Sequence, residues 1–322
     1  MATAFPLLRL PLLPILQICK SMDIIEVFAF SLLSKRTNTI AKHLKMTRTI
    51  NINVKENHVE LCFPNCRDIL INLHLENDQA QINVKLQDRW SSWNNLPIST
   101  NKLLNRTLNV FNCELIDDLV MEIPRYDMSP IIATLPNIKE VSSRADITRE
   151  MIFRPLKALL PKTSIIYLFP RAEYVYPEKL QEILIGNLDF IEIGPFDCYF
   201  RLDLDDILIT NSTKAVFHCV NLKERDLNRF LKLWKNGTIN TRMEHLKFVT
   251  DEDFNRDKVL NGLNVIEQPR TTTRTFEFSR NQIDYRNIVS GGHDIRRVNG
   301  DLVTVDIDDK PALHIYNIYF WS

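Results

Sequence analysis

Glycine is scarce in this chain: 7 residues in 322, against 15 prolines. That scarcity excludes collagen-like and glycine-rich low-complexity classes. Glycine-rich phosphate cradles are missing too, since neither GxGxxG nor GxxxxGK[ST] occurs. Cysteine is thin: Cys19, Cys62, Cys66, Cys113, Cys198 and Cys219 are scattered over the whole length. Disulfide frameworks belong to short, cysteine-dense secreted chains. Free thiols in a reducing compartment, cytoplasmic or nuclear, are therefore expected. Net charge is absent as well, with 40 Lys+Arg against 40 Asp+Glu. A general nucleic-acid binder carries a basic excess, so no nucleic-acid partner is expected. The apolar stretch 5–18 is too short to span a bilayer, and no membrane partner is expected. Arg9 interrupts it, Pro6, Pro11 and Pro14 break it, and no small-residue cleavage site follows. Sequons at Asn105, Asn211 and Asn236 would matter only in a secreted repeat protein, an alternative these features disfavour.

What remains is an ordered globular composition, 45% hydrophobic and 25% charged, long enough for about two domains. Charge is unevenly placed. Residues 1–50 hold seven bases (Arg9, Lys20, Lys35, Arg36, Lys42, Lys45, Arg48) and two acids (Asp23, Glu26), so the remainder is acidic. A short basic module joined to a longer acidic one suggests two parts with different partners.

Residues 10–46 read as three short helices. Pro14 suits a helix first turn, where its missing N–H costs nothing, and Ile15, Leu16, Ile18 and Cys19 follow at helical spacing. Asp23 is placed to cap a second helix carrying Ile24, Val27, Phe28 and Leu32. Ser34 is placed to cap a third, with Thr37, Ile40, Ala41 and Leu44 inward. So small a unit has a marginal core, most stable when a partner covers part of it.

This stretch, FPLLRLPLLPILQICKSMDIIEVFAFSLLSKRTNTIAKHL, resembles an F-box, and its FPLLRLP opening and SLLSKR run are similar to those of nematode F-box proteins. It departs from the pattern at Leu13, where an acid is usual, at Ile24, where a proline is common, and at Thr37, where a tryptophan is frequent. The resemblance implies docking on a Skp-type adaptor and through it on a cullin–RING ubiquitin ligase. Leu10, Pro11, Leu16, Ile18, Val27 and Leu33 are the candidate adaptor contacts, with Lys35 and Arg36 at the rim. Apolar side chains of this kind fill a partner's groove. Enclosure of the whole patch by later residues of this chain would remove that assignment.

Downstream, a leucine signature recurs at Leu108, Ile132, Leu156, Leu180, Leu204 and Leu227, at intervals of 24, 24, 24, 24 and 23 residues. LQEILIGN (180–187) and LDDILITN (204–211) are near copies. Each signature precedes a β-prone run, at 119–123, 138–141, 165–168, 190–193, 216–220 and 246–249. A helix and a strand repeated at this interval predict a leucine-rich-repeat-like solenoid. Leu227, Phe230, Leu231 and Trp234 share one helix face, Asn236-Gly237 supplies its stop, and Pro155 and Pro177 fit helix first turns. Alternating segments at 49–54, 58–63, 68–75 and 81–86 predict a short antiparallel sheet before the array, with Trp90 and Trp93 packing the junction. Strands at 273–278, 294–298, 301–307 and 313–320, with a hairpin turn at Asn299-Gly300, predict a closing β segment after it.

The segments 207–248 and 291–305, with ITNS, DLNRFLKLW and DIRR as their specific pieces, resemble the F-box-associated domain of type 2 over much of 180–322. Lys223-Glu224 departs from the Ser or Thr helix cap expected there. That family joins this domain to an F-box, so the two resemblances support each other.

Chemistry is hard to find. His58, Cys62 and Cys66 are spaced four apart, but strand and turn around Pro64 separate them, so no zinc is expected. His218-Cys219 falls on a strand, where neighbours point to opposite faces. Gly291-Gly292-His293-Asp294 reads as a turn, and the pairs Asp205-Asp206 and Asp308-Asp309 as surface. No cofactor and no catalysis are expected.

The expected architecture is α/β. A three-helix F-box (5–46) leads into a β-rich connecting segment (47–95), the solenoid (96–262) and a β cap (263–322), with antiparallel β segments at both ends. The expected function is substrate recognition for an SCF-type ubiquitin ligase; the alternative is an interaction scaffold with no ubiquitin link. Glu122, Lys139, Glu192, His218 and Lys247 are candidate contacts to an unknown target protein, chosen by strand position.

Overall fold

The computed structural model describes residues 7–46, 49–64, 69–74, 80–86, 89–96, 98–122, 127–143, 150–169, 177–194, 202–218, 220–239, 242–250, 254–280, 283–297, 299–310 and 313–321. It divides into two compact units, Met1–Lys139 and Glu140–Ser322.

The first unit opens on a 3₁₀ turn, Leu7–Arg9, and three helices: α1 (Leu12–Lys20), α2 (Ile24–Leu32) and α3 (Lys35–His43). Both expected caps are present. The Asp23 carboxylate accepts from the Glu26 N–H at 2.8 Å, and Glu26 returns the bond to the Asp23 N–H. Ser34 and Thr37 repeat the reciprocal arrangement on α3. Each box satisfies two N–H groups that a helix start would leave bare.

The strands β1 (Ile50–Val54), β2 (His58–Cys62), β3 (Ile69–His74), β4 (Ala80–Leu86) and β5 (Arg89–Leu96) follow, then α4 (Thr100–Val110), β6 (Leu115–Met121) and the single turn α5 (Ser129–Ile132). Their order is β6-β1-β2-β3-β4-β5. Ile50, Ile52, Val54, Val59, Leu61, Ile71, Leu73, Ile82 and Val84 are all buried. Their alternation with Asn51, Asn53, Asn72 and Asn83 explains the four expected strands. β5 was not expected. Its Trp93 packs instead 6.2 Å from Phe28 of α2, which also stacks at 6.2 Å on Phe111. The helical unit is thus closed on its inner side by this chain's own sheet.

β7 (Asn137–Ser143) crosses the boundary between the units. The second unit then alternates helix and strand: α6 (Glu150–Leu159), β8 (Ile165–Leu168), α7 (Pro177–Leu184), β9 (Phe190–Ile193), α8 (Leu204–Ile209), β10 (Lys214–Phe217), α9 (Glu224–Lys235), β11 (His245–Thr250) and α10 (Arg256–Leu260). β8 to β11 pair in parallel. The signature residues Leu156, Leu180, Leu204 and Leu227 are all buried, as are Leu108 and Ile132 in the first unit. α9 begins at Glu224 although Lys223 brings no hydroxyl; Asp226 accepts the Lys223 N–H at 3.0 Å. It stops at Asn236-Gly237, where the Gly237 and Thr238 N–H groups return to the Trp234 and Leu233 carbonyls. Pro155 corrects one expectation. It lies inside α6 rather than in its first turn, whereas Pro177 opens α7.

The solenoid is also corrected. Beyond α10 come β12 (Ile266–Arg280), β13 (Ile283–Arg296), β14 (Leu302–Lys310) and β15 (Leu313–Trp321). β11 pairs in parallel with β10 and antiparallel with β15, and the sheet continues through β14, β13 and β12. In the first unit β6 lies parallel to β1, which pairs antiparallel with β2. Helix and strand alternate at the expected interval, but the result is a mixed sheet and not a solenoid. A last parallel strand leaves a row of unpaired N–H and C=O groups. β15 satisfies that row on β11 directly, by antiparallel pairing.

Gly291-Gly292 is a further correction. Rather than a turn before a strand, the pair lies within β13 at positive φ, +77° and +100°. Here the β12–β13 register shifts between Gln268 and Thr273. A Cβ on Gly292 would approach Thr304 Cγ2 to 2.8 Å. Pro269 falls inside the shift on the outermost strand, where its missing N–H is tolerated. Beyond the bend, Phe276 packs 5.2 Å from the rings of both Tyr319 and His245.

Candidate functional site

The N-terminal helices sort their apolar residues into two sets. Ile15, Cys19, Phe30 and Ile40 form a small core, with Leu7, Leu8, Leu10, Leu16, Met22 and Leu44 packed against it. Burial pushes the Cys19 thiol pKa up, as expected of an inert core thiol. On α1 the residues between these positions point outward. Leu12, Leu13, Pro14 and Ile18 are exposed, and Leu33, just beyond α2, is 73% exposed. Among the described residues, four of the eight exposed large aliphatic side chains fall between Leu12 and Leu33. The set is dense for so short a segment.

Of the expected adaptor contacts, Pro11, Ile18, Leu33, Lys35 and Arg36 lie on the surface, and Leu10 and Leu16 are half-buried. Val27 is corrected: it is 0% exposed, so it supports the helices from within. Leu12 and Leu13 were missed. Leu13, 75% exposed, stands where the F-box pattern usually has an acid.

The target candidates are placed separately. Glu122 follows β6 and is half-buried, and Lys139 is exposed on β7. In the second unit, register puts Tyr167, Glu192, Val216, Lys247 and Asn317 in one row across β8, β9, β10, β11 and β15. Glu192 is corrected as a surface contact: it is 1% exposed. Its Oε1 lies 2.8 Å from His218 Nε2, so the structure brings these two candidates together. Tyr167 and Val216 of this row pack into a cluster with Phe190, two residues before Glu192 on β9.

Of the residues considered for a metal, His58 and Cys62 are described and have other partners. His58 packs against His74 with the rings tilted and 5.4 Å apart, its Nδ1 bonds Asn57, and Cys62 Sγ accepts from Asn53 at 3.6 Å. Burial pushes the Cys62 thiol up to about 11. Cys66 and Cys219 lie outside the described residues. Among the described residues no group of three His, Cys, Asp or Glu could hold a metal ion, and no helix is long and apolar enough to cross a membrane.

With this geometry in view, comparison with protein families adds two matches. The chain carries an F-box domain at residues 7–49. An F-box associated domain matches residues 179–248. The first match covers α1 to α3; the second runs from α7 through β11. No curated protein and no solved structure matches the chain. F-box domains bind Skp-type adaptors in SCF complexes, and an F-box joined to an F-box associated domain is in general the arrangement of a substrate-recognition subunit.

Proposed function

We propose that this chain is the substrate receptor of an SCF-type ubiquitin ligase, of the kind its two segments resemble in nematodes. Leu12, Leu13, Ile18 and Leu33, with Pro11, Lys35 and Arg36 around them, meet a Skp-type adaptor, and Leu10 and Leu16 brace that surface from beneath. The adaptor links the chain to a cullin–RING assembly in the cytoplasm or nucleus. The remainder of the chain holds a target protein, with Lys139 and Lys247 among its contacts. No covalent step belongs to this chain. Its contribution is proximity, which raises the effective concentration of a target lysine near a ubiquitin-charged enzyme held elsewhere in the complex.

One observation carries this reading. The F-box helices are closed on one side by Trp93 and Phe111 yet leave large aliphatic side chains in solvent on the other. A helical core serving only this chain would not need the second set. The test is capture of a purified Skp-type adaptor by the full chain. Retention by wild type and its loss in a Leu13→Asp/Leu33→Asp double variant is the expected result. Failure of the wild-type chain to retain adaptor would leave the scaffold alternative instead.

A further inference from the structure

A cavity of about 350 Å³ opens in the second unit between the end of α9, the start of β11, the β13–β14 turn and the end of β15. Its lining divides into an apolar part (Trp234, Met243, Phe320 and Trp321) and a charged rim (Arg242, Glu244, Arg297 and Asp301). The two carboxylates are engaged. Glu244 pairs with Lys214 at 3.0 Å, and Asp301 accepts from Asn299 at 2.7 Å and from Arg297 at 3.3 Å. Arg297 is less fully used. Arg297 donates only that one long side-chain bond among the described residues, although a guanidinium carries five N–H groups.

Arg297 is nevertheless held firmly. Its guanidinium lies 5.6 Å over the Trp234 ring, and the side chain is 11% exposed. It also presses against Gly237, where a Cβ would come within 2.6 Å of Nη2. Gly237 thus serves twice, ending α9 at φ +77° and leaving room for the guanidinium. Arg242, opposite in character, is exposed, and its Nη1 donates to the neutral amide oxygen of Asn187 at 2.9 Å. A fixed guanidinium with donors to spare, an exposed second one and an aromatic floor form a preorganised receptor for a planar anion with an apolar stem.

We propose that this cavity captures a carboxylate on a peptide segment of the target protein. Arg297 supplies the fixed donors, Arg242 closes over the anion, and Trp234, Phe320 and Trp321 shelter the attached aliphatic carbons. The proposal deepens the receptor reading and depends on it only for the ligand being a protein segment.

The test uses the ¹⁵N-labelled full chain, whose four tryptophans are Trp90, Trp93, Trp234 and Trp321. The probes are N-acetyl-Leu-Glu-amide and N-acetyl-Leu-Leu with a free C-terminus, each beside its neutral counterpart: the glutamine peptide and the C-terminal amide. A response to either acidic probe supports the pocket, and the two arms tell a side-chain from a terminal carboxylate. The indole signals of Trp234 and Trp321 should shift, those of Trp90 and Trp93 should not, and binding should weaken as salt rises. Arg242→Ala, on an exposed side chain, should weaken binding about tenfold, the loss of one charge-assisted contact. Arg297→Lys should weaken it similarly while keeping the charge. Equal shifts with the neutral probes, no shift with any probe, or unchanged affinity in Arg242→Ala would overturn the proposal. Adaptor capture is read separately, so failure there leaves the pocket result standing, and the reverse.

Discussion

Arg274 and Asp294 face each other in a two-pronged ion pair, with Nη1–Oδ1 at 2.9 Å and Nη2–Oδ2 at 2.7 Å. Thr304 completes the group. Its hydroxyl donates to Asp294 Oδ1 and accepts from Arg274 and from the Trp321 indole, which uses its full hydrogen-bonding capacity. The pair ties β12 to β13, and the Thr304 bonds carry the connection to β14 and β15. Asp294 also holds the Arg274 guanidinium pKa above its ordinary value. Asp294→Asn should cost about 2–3 kcal/mol, because Asp294 is buried while Arg274 keeps some access to water. Thr304→Val, nearly isosteric, should cost about 1–2 kcal/mol. Urea midpoints measure both, and equal midpoints in wild type and Asp294→Asn would refute the fastening role.

His245 gives the second unit an acid sensitivity. The ring is buried between Tyr319, stacked at 4.9 Å, and Phe276 at 5.2 Å, and its Nε2 lies 3.3 Å from Asn317 Oδ1. Desolvation pushes its pKa down to about 4, helped by Lys247 and Lys214 and opposed by the Asn317 bond. The folded pKa is thus below the unfolded value of 6.5. The unfolded chain takes up a proton that the folded chain refuses. This contribution is whole above about pH 6.5 and shrinks as pH falls toward 4, by up to about 3 kcal/mol. His245→Phe should flatten the wild-type slope across that window. Parallel stability curves for the two proteins would show that another group governs it.

Where local chemistry and tertiary packing agreed, the sequence was legible. Asp23 and Ser34 are caps because a short oxygen-bearing side chain before an apolar run has little else to do. Ile165–Leu168 and Phe190–Ile193 were read to the residue because IIYL is a continuous apolar run and FIEI is broken only by Glu192. β5 escaped because RWSSWNNL neither alternates nor favours a strand, and its pairing with β4 decides it. Gly291-Gly292 was misread because two glycines resemble a turn whether the chain reverses or only bends within a ladder. The pocket around Arg297 was invisible. Its lining comes from segments between residues 213 and 321, and no local pattern links them.

Arg106 joins α4 to the F-box helices. Its Nη2 donates to the Ser31 carbonyl at 2.6 Å, in the last turn of α2, and to the Ser34 carbonyl at 2.8 Å, at the cap of α3. Desolvation lowers its pKa. Arg106→Met keeps the apolar stem and removes both bonds, at a cost of about 2 kcal/mol. Amide exchange should then quicken across residues 24–43 while β1 and β2 keep their protection. Unchanged exchange in that segment would mean that Phe28, packed on Trp93 and Phe111, fixes the helices without Arg106.

Val27 and Leu33 separate support from contact within a few residues. Val27 is fully buried in α2, and Leu33 stands mostly in solvent just beyond it. Val27→Ala should therefore lower stability by about 1–3 kcal/mol through lost burial and the cavity left behind. Its adaptor affinity should stay near wild type once conditions keep the chain folded. Leu33→Asp should do the reverse. Stability should move by less than about 0.5 kcal/mol, as for most surface changes, while adaptor affinity falls by at least about tenfold through loss of an apolar anchor. Thermal melts and adaptor titrations on the same preparations check both halves. If Leu33→Asp bound adaptor as wild type does, the exposed aliphatic set would have to serve some other partner. If Val27→Ala lost adaptor without losing stability, the helices would have to open on binding and present the face they now enclose.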